Sequence, residues 1–300
     1  MSFSSEVKAE LCRMPINRQC CALAEAYGIL LYCNTFSYRE IRIITESRPF
    51  AYRLQSVFRS AFEIEFDIVP DIASVSGKLS FQINSQEKIE KVFERYGYDA
   101  RSCVAVHTNL AILEEDCCKA AFLRGAFLAG GSVTDPEKSY HLELVTPHYY
   151  VRGETYSLML EMGLSPKDAA RNGSYIVYFK QSNYIEDFLT FTGAPVKAME
   201  LMSAKVEKEL RNSVNRRVNC DTANLEKAVD AAQTQLEALR KLEAAGKIIT
   251  LPDKLRETAL LRKQNPEATL SELAAMFDPP VTKSCLNHRL RKLAEMAKEL

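Results

Sequence analysis

No apolar run in the 300-residue chain approaches the roughly 18–20 residues of a membrane-spanning helix. The opening Met-Ser-Phe-Ser-Ser-Glu-Val-Lys-Ala-Glu-Leu carries charge where a secretory signal has its apolar stretch. The expected location is therefore cytoplasmic, with no membrane partner. Net charge is missing as well: Lys+Arg 39 balance Asp+Glu 39, so bulk attraction to polyanions is excluded and any nucleic-acid site must come from local clustering. A composition of 47% hydrophobic and 26% charged residues excludes disorder and collagen-like repeats, and the length suggests roughly two domains of about 100–200 residues each. Also lacking is the even cysteine count of a secreted disulfide framework. The nine cysteines, Cys12, Cys20, Cys21, Cys33, Cys103, Cys117, Cys118, Cys220 and Cys285, read as reduced thiols. Cys20, Cys21, Cys117 and Cys118 could be pooled into a zinc site, but zinc ligands usually leave two to four residues between them. Adjacent cysteines are expected to chelate poorly and to serve as small buried hydrophobes, so no metal and no cofactor are expected.

The two Cys-Cys pairs stand 97 positions apart, and a fixed offset is what a duplicated unit leaves behind. At the same offset Gly28 meets Gly125, Leu31 meets Leu128, Asn34 meets Gly131 and Thr35 meets Ser132. Each copy reads as helix, strands, helix, strands, helix. The first comprises a helix near 23–32, a strand around 39–45, a helix entered near Pro49, strands around 63–69 and 78–83, and a helix over 86–95. The second comprises 120–129, 140–146, 149–162, 165–169 with 175–180, and 183–191. Alternation in Ile41-Arg42-Ile43 and His141-Leu142-Glu143-Leu144 supports the strands, and Pro49 suits a first helical turn. Arg39, Arg42, Arg53, Arg59, Arg171 and Lys180 read as strand charges, compatible with a solvated face or with DNA contact.

From Pro195 the pattern turns helical. Arg211-Asn212-Ser213-Val214-Asn215-Arg216-Arg217-Val218-Asn219-Cys220 holds three arginines and three asparagines without an acid. Arg211, Asn215, Arg216 and Arg217 form a secondary candidate for DNA contact; the alternative is that these side chains cap helix ends and tie domains together. Asp221 is expected to cap a further helix, with Leu225, Val229, Ala232, Leu236 and Leu239 as one apolar stripe and Gly246 as its end.

After Pro252 three short helices are expected. The first starts at Asp253 and buries Leu255, Ala259 and Leu260. Thr269-Leu270-Ser271-Glu272 is a capping-box pattern that opens the second, whose apolar face is Leu270, Leu273 and Ala274. Asp278-Pro279-Pro280 breaks the chain, and Thr282 caps the third. This is a helix-turn-helix order. In the third helix Leu286, Leu290 and Leu293 face inward, while Lys283, Ser284, Asn287, His288, Arg289, Arg291 and Lys292 take the remaining positions with no acid among them. A recognition helix reads base edges with its N-terminal residues and holds phosphates with flanking cations. Ser284, Asn287 and His288 are thus candidates for the bases; Lys283, Arg289, Arg291 and Lys292 are candidates for the backbone.

Phe122-Leu123-Arg124-Gly125-Ala126-Phe127-Leu128-Ala129-Gly130-Gly131-Ser132 resembles the signature helix of LAGLIDADG homing endonucleases, and the copy through Gly28 resembles it more weakly. That likeness implies an α+β fold of two pseudo-symmetric αββαββα units. Cys33 and Gly130 stand where the nucleases carry metal-binding acids, and nearby Glu25, Asp135 and Glu137 do not match those places. Together with Arg211-Asn212 to Asn219-Cys220 and the motif Lys283-Ser284 with Asn287 to Lys292, the chain resembles the WhiA family nearly throughout. The resemblance implies a Gram-positive bacterial regulator of sporulation, cell division and chromosome segregation that recognises promoters mainly through its helix-turn-helix. The expected organisation is a LAGLIDADG-like domain at 1–195, with repeats at about 15–100 and 112–195, a helical linker at 196–250 and a helix-turn-helix domain at 251–300. The expected role is non-catalytic, with double-stranded DNA and then other regulators or division proteins as partners, at the nucleoid. A protein-interaction scaffold and a metal-dependent nuclease are the competing readings.

Overall fold

The computed structural model describes residues 2–74, 77–98 and 106–300, so Cys103 lies outside the described residues. The chain divides into two compact units, one ending at Glu209 and the other spanning Leu210–Leu300.

The first unit is α+β and holds both copies of the repeat. α1 (Phe3–Leu11) precedes them; its Phe3, Val7 and Leu11 recur every fourth residue and are buried, while the Ser2 side chain caps it by accepting from the Ser5 N–H at 3.2 Å. Copy one is α2 (Gln19–Tyr32), β1 (Thr35–Phe36), β2 (Ile41–Thr45), α3 (Arg48–Phe62), β3 (Leu79–Ile83) and α4 (Gln86–Arg95). Copy two is α5 (Asp116–Gly130), β4 (Gly131–Val133), β5 (Leu142–Thr146), α6 (Tyr149–Glu161), β6 (Lys167–Arg171), β7 (Ser174–Phe179) and α7 (Ser182–Thr192). Each copy has its own antiparallel sheet, in the order β1-β2-β3 for the first and β4-β5-β7-β6 for the second.

The copies therefore differ by a strand. The strand expected at 63–69 is not formed. Glu63 closes α3 in the left-handed conformation at φ 57, and only the bridge Ile68↔Gln82 pairs that segment with β3. Its polar groups go elsewhere: the Asp67 carboxylate accepts the N–H groups of Asn84 and Ser85 at 2.7 and 2.8 Å, and Lys88 donates to the Glu65 carbonyl. Pro70 then removes a donor that a longer ladder would need. In copy two, Asn172 and Gly173, both at positive φ, turn β6 directly into β7.

α2 and α5 are apolar on nearly all sides because they lie at the centre of the core. Their contact is reciprocal. A Cβ added at Gly28 would sit 2.1 Å from the Phe122 carbonyl oxygen, and one at Gly125 would sit 2.1 Å from that of Glu25. Since residues 25 and 122 are again 97 apart, a pseudo-dyad runs between the two helices, and only glycine at both positions lets the backbones meet.

α8 (Pro195–Ala244) is one continuous helix of 50 residues. Asp221 thus starts no new helix: it lies inside α8, where neighbours of ordinary helix propensity let the backbone ladder run on. Gly246, at φ 68, ends the segment as expected. In the second unit the end of α8 packs with α9 (Asp253–Gln264), α10 (Leu270–Ala275) and α11 (Lys283–Lys298) around Leu239, Leu242, Leu255, Leu273, Phe277, Leu286, Leu290 and Leu293. The apolar stripe on α8 is buried only at its C-terminal end. Leu239 is covered, Ala232 and Leu236 are half-covered, and Leu225 and Val229 face solvent. Leu260, expected inside, is 47% exposed; Thr258 and Arg262 take the inward positions beside Leu255 and Ala259.

Candidate nucleic-acid interface

The helix-turn-helix is held by side chains that the sequence places at each helix start. Thr269 accepts from the Glu272 N–H at 3.3 Å and the Glu272 carboxylate accepts from the Thr269 N–H at 2.7 Å, a complete capping box. The Glu272 carboxyl is held below its ordinary pKa by these bonds, the backbone one foremost. Arg262, 3% exposed, donates to the Ala268 carbonyl at 2.5 Å and ties α9 to the entry of α10; burial lowers its pKa. The Val281 N–H donates to the Ala274 carbonyl at 3.0 Å across the turn, and Thr282 caps α11 by accepting from the Cys285 N–H at 3.2 Å.

On α11, Leu286, Leu290, Leu293 and Ala297 are buried. At 3.6 residues per turn the opposite side carries Ser284, His288 and Arg291, with Lys283 and Asn287 on one flank and Lys292 and Arg289 on the other. All seven candidate residues lie on this one helix. Six are exposed, and Arg289 is half-buried with its guanidinium 5.4 Å from the centre of the Phe277 ring. Arg291 meets Glu295 at 3.5 Å; among the described residues Lys283, Arg289 and Lys292 form no ion pair. The outcome is an exposed face with cations toward both ends of the 283–292 stretch and the side chains of Ser284, Asn287 and His288 between.

Arg211, Asn215, Arg216 and Arg217 stand together in the middle of α8 and are exposed. They cap no helix end, because none occurs there; Arg216 donates to the Asn212 carbonyl one turn back, at 3.2 Å.

Several of the charges read as strand residues sit elsewhere. Arg39 lies in the β1–β2 turn, and Arg53 and Arg59 lie on α3. The helical period of α3 turns Arg53 into the core, where it grips Glu25 from Nε and Nη2 at 2.5 and 2.7 Å, while Arg124 approaches the same carboxylate at 3.3 Å. Arg53 also donates to the Cys12 and Met14 carbonyls. Burial lowers the Arg124 pKa against the pull of Glu25. Sequence reading missed this trio, whose trace is Glu25 as the one charged residue of α2 and Arg124 in the apolar second half of α5. Asp135 is engaged locally, accepting from the Glu137 N–H at 2.9 Å.

The paired helices α2 and α5 end at Cys33 and Gly130. Cys33 is buried and donates to the Leu30 and Thr35 carbonyls at 3.2 and 3.3 Å; burial pushes its thiol up to about 12. A Cβ on Gly130 would lie 2.5 Å from the Val145 carbonyl oxygen. At the N-terminal ends of the same helices the pseudo-dyad gathers Cys20, Cys21, Cys117 and Cys118, their sulfurs all within 4.8 Å of one another. Adjacent cysteines are expected to chelate poorly, yet Cys117 Sγ and Cys118 Sγ lie 4.0 Å apart within this group. Nor are they all buried hydrophobes, since Cys20 is exposed and Cys21 and Cys117 are half-buried. The 97-residue offset was the signal that could have brought the two pairs together.

Residues 119–211 match the family described as the WhiA LAGLIDADG-like domain, and residues 214–297 match that described as the WhiA C-terminal HTH domain. The chain is 39% identical to "Probable cell division protein WhiA" of Ruminiclostridium cellulolyticum, with 100% of this chain and 98% of the relative covered. It is 36% identical to the protein of the same description from Alkaliphilus metalliredigens, with 99% and 98% covered. Among solved structures, full-length DUF199/WhiA from Thermatoga maritima aligns with a TM-score of 0.60 at 22% identity, covering 100% of this chain and 99% of that one, and so shares its fold.

Proposed function

The chain belongs to the WhiA family, and from that membership we propose that it is a non-catalytic, sequence-specific DNA-binding transcription regulator acting in cell division, chromosome segregation and sporulation. The observation that carries this reading is the outer face of α11, where Lys283, Ser284, Asn287, His288, Arg291 and Lys292 are all exposed on a capped helix with a buried leucine seam. Such a helix enters the major groove, where Asn pairs with adenine edges and cations bind phosphates. The relatives' description as cell division proteins supports the cellular assignment, and a nucleoid location in the cytoplasm follows from the ligand.

The absence of catalysis is part of the proposal. At the helix ends where the resembled nucleases carry acids, the thiol of Cys33 is a soft donor turned to carbonyls, and the backbone packing at Gly130 leaves no room for an acidic side chain. Glu25, an acid on the same helix, is sealed at 2% exposure between two guanidiniums.

Footprinting the full chain, with its Asn287→Ala and Arg291→Ala variants measured across a salt series, tests the reading. Loss of the Asn287 amide should cost about 1–3 kcal/mol and relax sequence preference, whereas loss of Arg291 should weaken all DNA and flatten the salt slope by about one. Footprints that ignore both changes refute it, as does a magnesium-dependent cut in the footprinted duplex. A second reading, a scaffold for division proteins, is favoured by the solvent-facing Leu225 and Val229. It gains if the α11 variants lose DNA yet still support division in cells.

A further inference from the structure

We propose that Cys20, Cys21, Cys117 and Cys118 form a tetrathiolate site for a single zinc ion, placed on the pseudo-dyad at the N-terminal ends of α2 and α5. Four thiolates around one tetrahedral ion at the usual Zn–S distance of about 2.3 Å stand about 3.8 Å apart. The four sulfurs here already lie within 4.8 Å of one another, and the adjacent pair Cys117 and Cys118 is at 4.0 Å, so a contraction of roughly 1 Å or less completes the site. All-sulfur donors select zinc over magnesium or calcium. An iron–sulfur cluster places a cage of iron and sulfide between its cysteines, and these sulfurs stand too close together to enclose one.

Two further features suit an anionic thiolate cluster. The cysteines occupy the first turns of both helices, where free backbone N–H groups and the helix dipoles favour negative charge. The Arg18 guanidinium also reaches Cys117 Sγ, at 3.9 Å. The thiol protons pass to solvent as the ion enters, so loading strengthens with pH. Because each helix supplies two ligands, the ion would clip the copies of the repeat together at the end of the helix pair remote from Cys33 and Gly130. Cys33 lies thirteen positions beyond Cys20, about 20 Å along the helix.

The test uses the full chain, stripped of metal and reduced with a thiol-free reductant, then titrated with Co²⁺ and afterwards Zn²⁺. The proposal expects one Co²⁺ per chain with the intense visible bands of a tetrahedral thiolate complex, bleached by one equivalent of Zn²⁺, and a raised melting temperature for the zinc form. Alkylation compared between the metal-free and zinc forms should show protection gained on zinc loading at Cys20, Cys21, Cys117 and Cys118. The double variant Cys20→Ser, Cys117→Ser, changed at solvent-accessible positions, should keep its circular dichroism spectrum and lose at least about 100-fold in affinity. The weak bands of octahedral cobalt, bands that persist in the double variant, protection gained on zinc loading at other cysteines instead of these four, or a chromophore containing acid-labile sulfide would each overturn it.

Discussion

The helix pair α2–α5 and the helix α11 handle charge in opposite ways. At the pair, Glu25 of α2 and Arg124 of α5 meet Arg53 of α3, and the three are shut away from water. On α11 Lys283, Arg291 and Lys292 face solvent, and among the described residues Lys283, Arg289 and Lys292 form no ion pair. Arginine content alone does not distinguish the two regions. What separates them is whether the helical period aims the guanidinium at the core or at solvent, and whether an acid waits there. The first arrangement serves packing; the second leaves charge available to a polyanion.

The contrast breaks most severely if the helix pair is forced apart. Gly125→Val puts a branched side chain where even a Cβ lies 2.1 Å from the Glu25 carbonyl oxygen. More than about 4 kcal/mol should be lost, and the first unit should give no cooperative thermal transition. Next in size is Glu25→Gln, which leaves two buried guanidiniums without their counter-charge. About 3–5 kcal/mol of stability should disappear in urea unfolding followed by circular dichroism, with the α11 face still able to bind DNA once the chain is folded. If the variant is as stable as the parent, the trio is not the internal use of charge described above.

High pH sharpens the same contrast. The buried Cys33 thiol is raised to about 12 in the folded chain, whereas an unfolded thiol ionises near 9. The folded state therefore holds a proton that the unfolded state releases, and the contribution is full below pH 9 and fades as pH rises toward 12. Cys33→Ala should flatten the decline by up to about 1.4 kcal/mol per pH unit between pH 9 and 11, read from melting temperatures. An identical pH slope in both proteins contradicts the burial. The smallest expected effect is Thr269→Ala, which removes one cap of the helix-turn-helix and should lower the stability of the second unit by about 1 kcal/mol in urea.

The capping box and leucine seam of α11 were legible because each depends on neighbours within a few residues. The repeat was legible for a different reason: its offset of 97 survives in Cys-Cys and glycine landmarks. What escaped depends on contacts far along the chain. The segment at 63–69 has strand-like composition, but its pairing with β3 stops at Asp67 and Ile68 against Gln82, while the Asp67 carboxylate accepts the N–H groups of Asn84 and Ser85 at the start of α4. Asp221 looks like a helix cap, yet nothing upstream breaks α8, so the local signal has no vacancy to fill. Arg53 read as a strand charge until its partner Glu25, 28 residues away, was in place. The convergence of four thiols needed both the offset and the parallel packing of α2 with α5, and sequence spacing alone argued against it.

The most direct test of the account is duplex affinity with and without the α11 side chains. The full chain and its triple variant Asn287→Ala, Arg289→Ala, Arg291→Ala are titrated, in magnesium buffer, against the duplex that the unmodified chain enriches from a random library. A loss of at least about 100-fold with intact duplex throughout is the predicted result; equal affinity of the two proteins, or cleaved DNA, would contradict it.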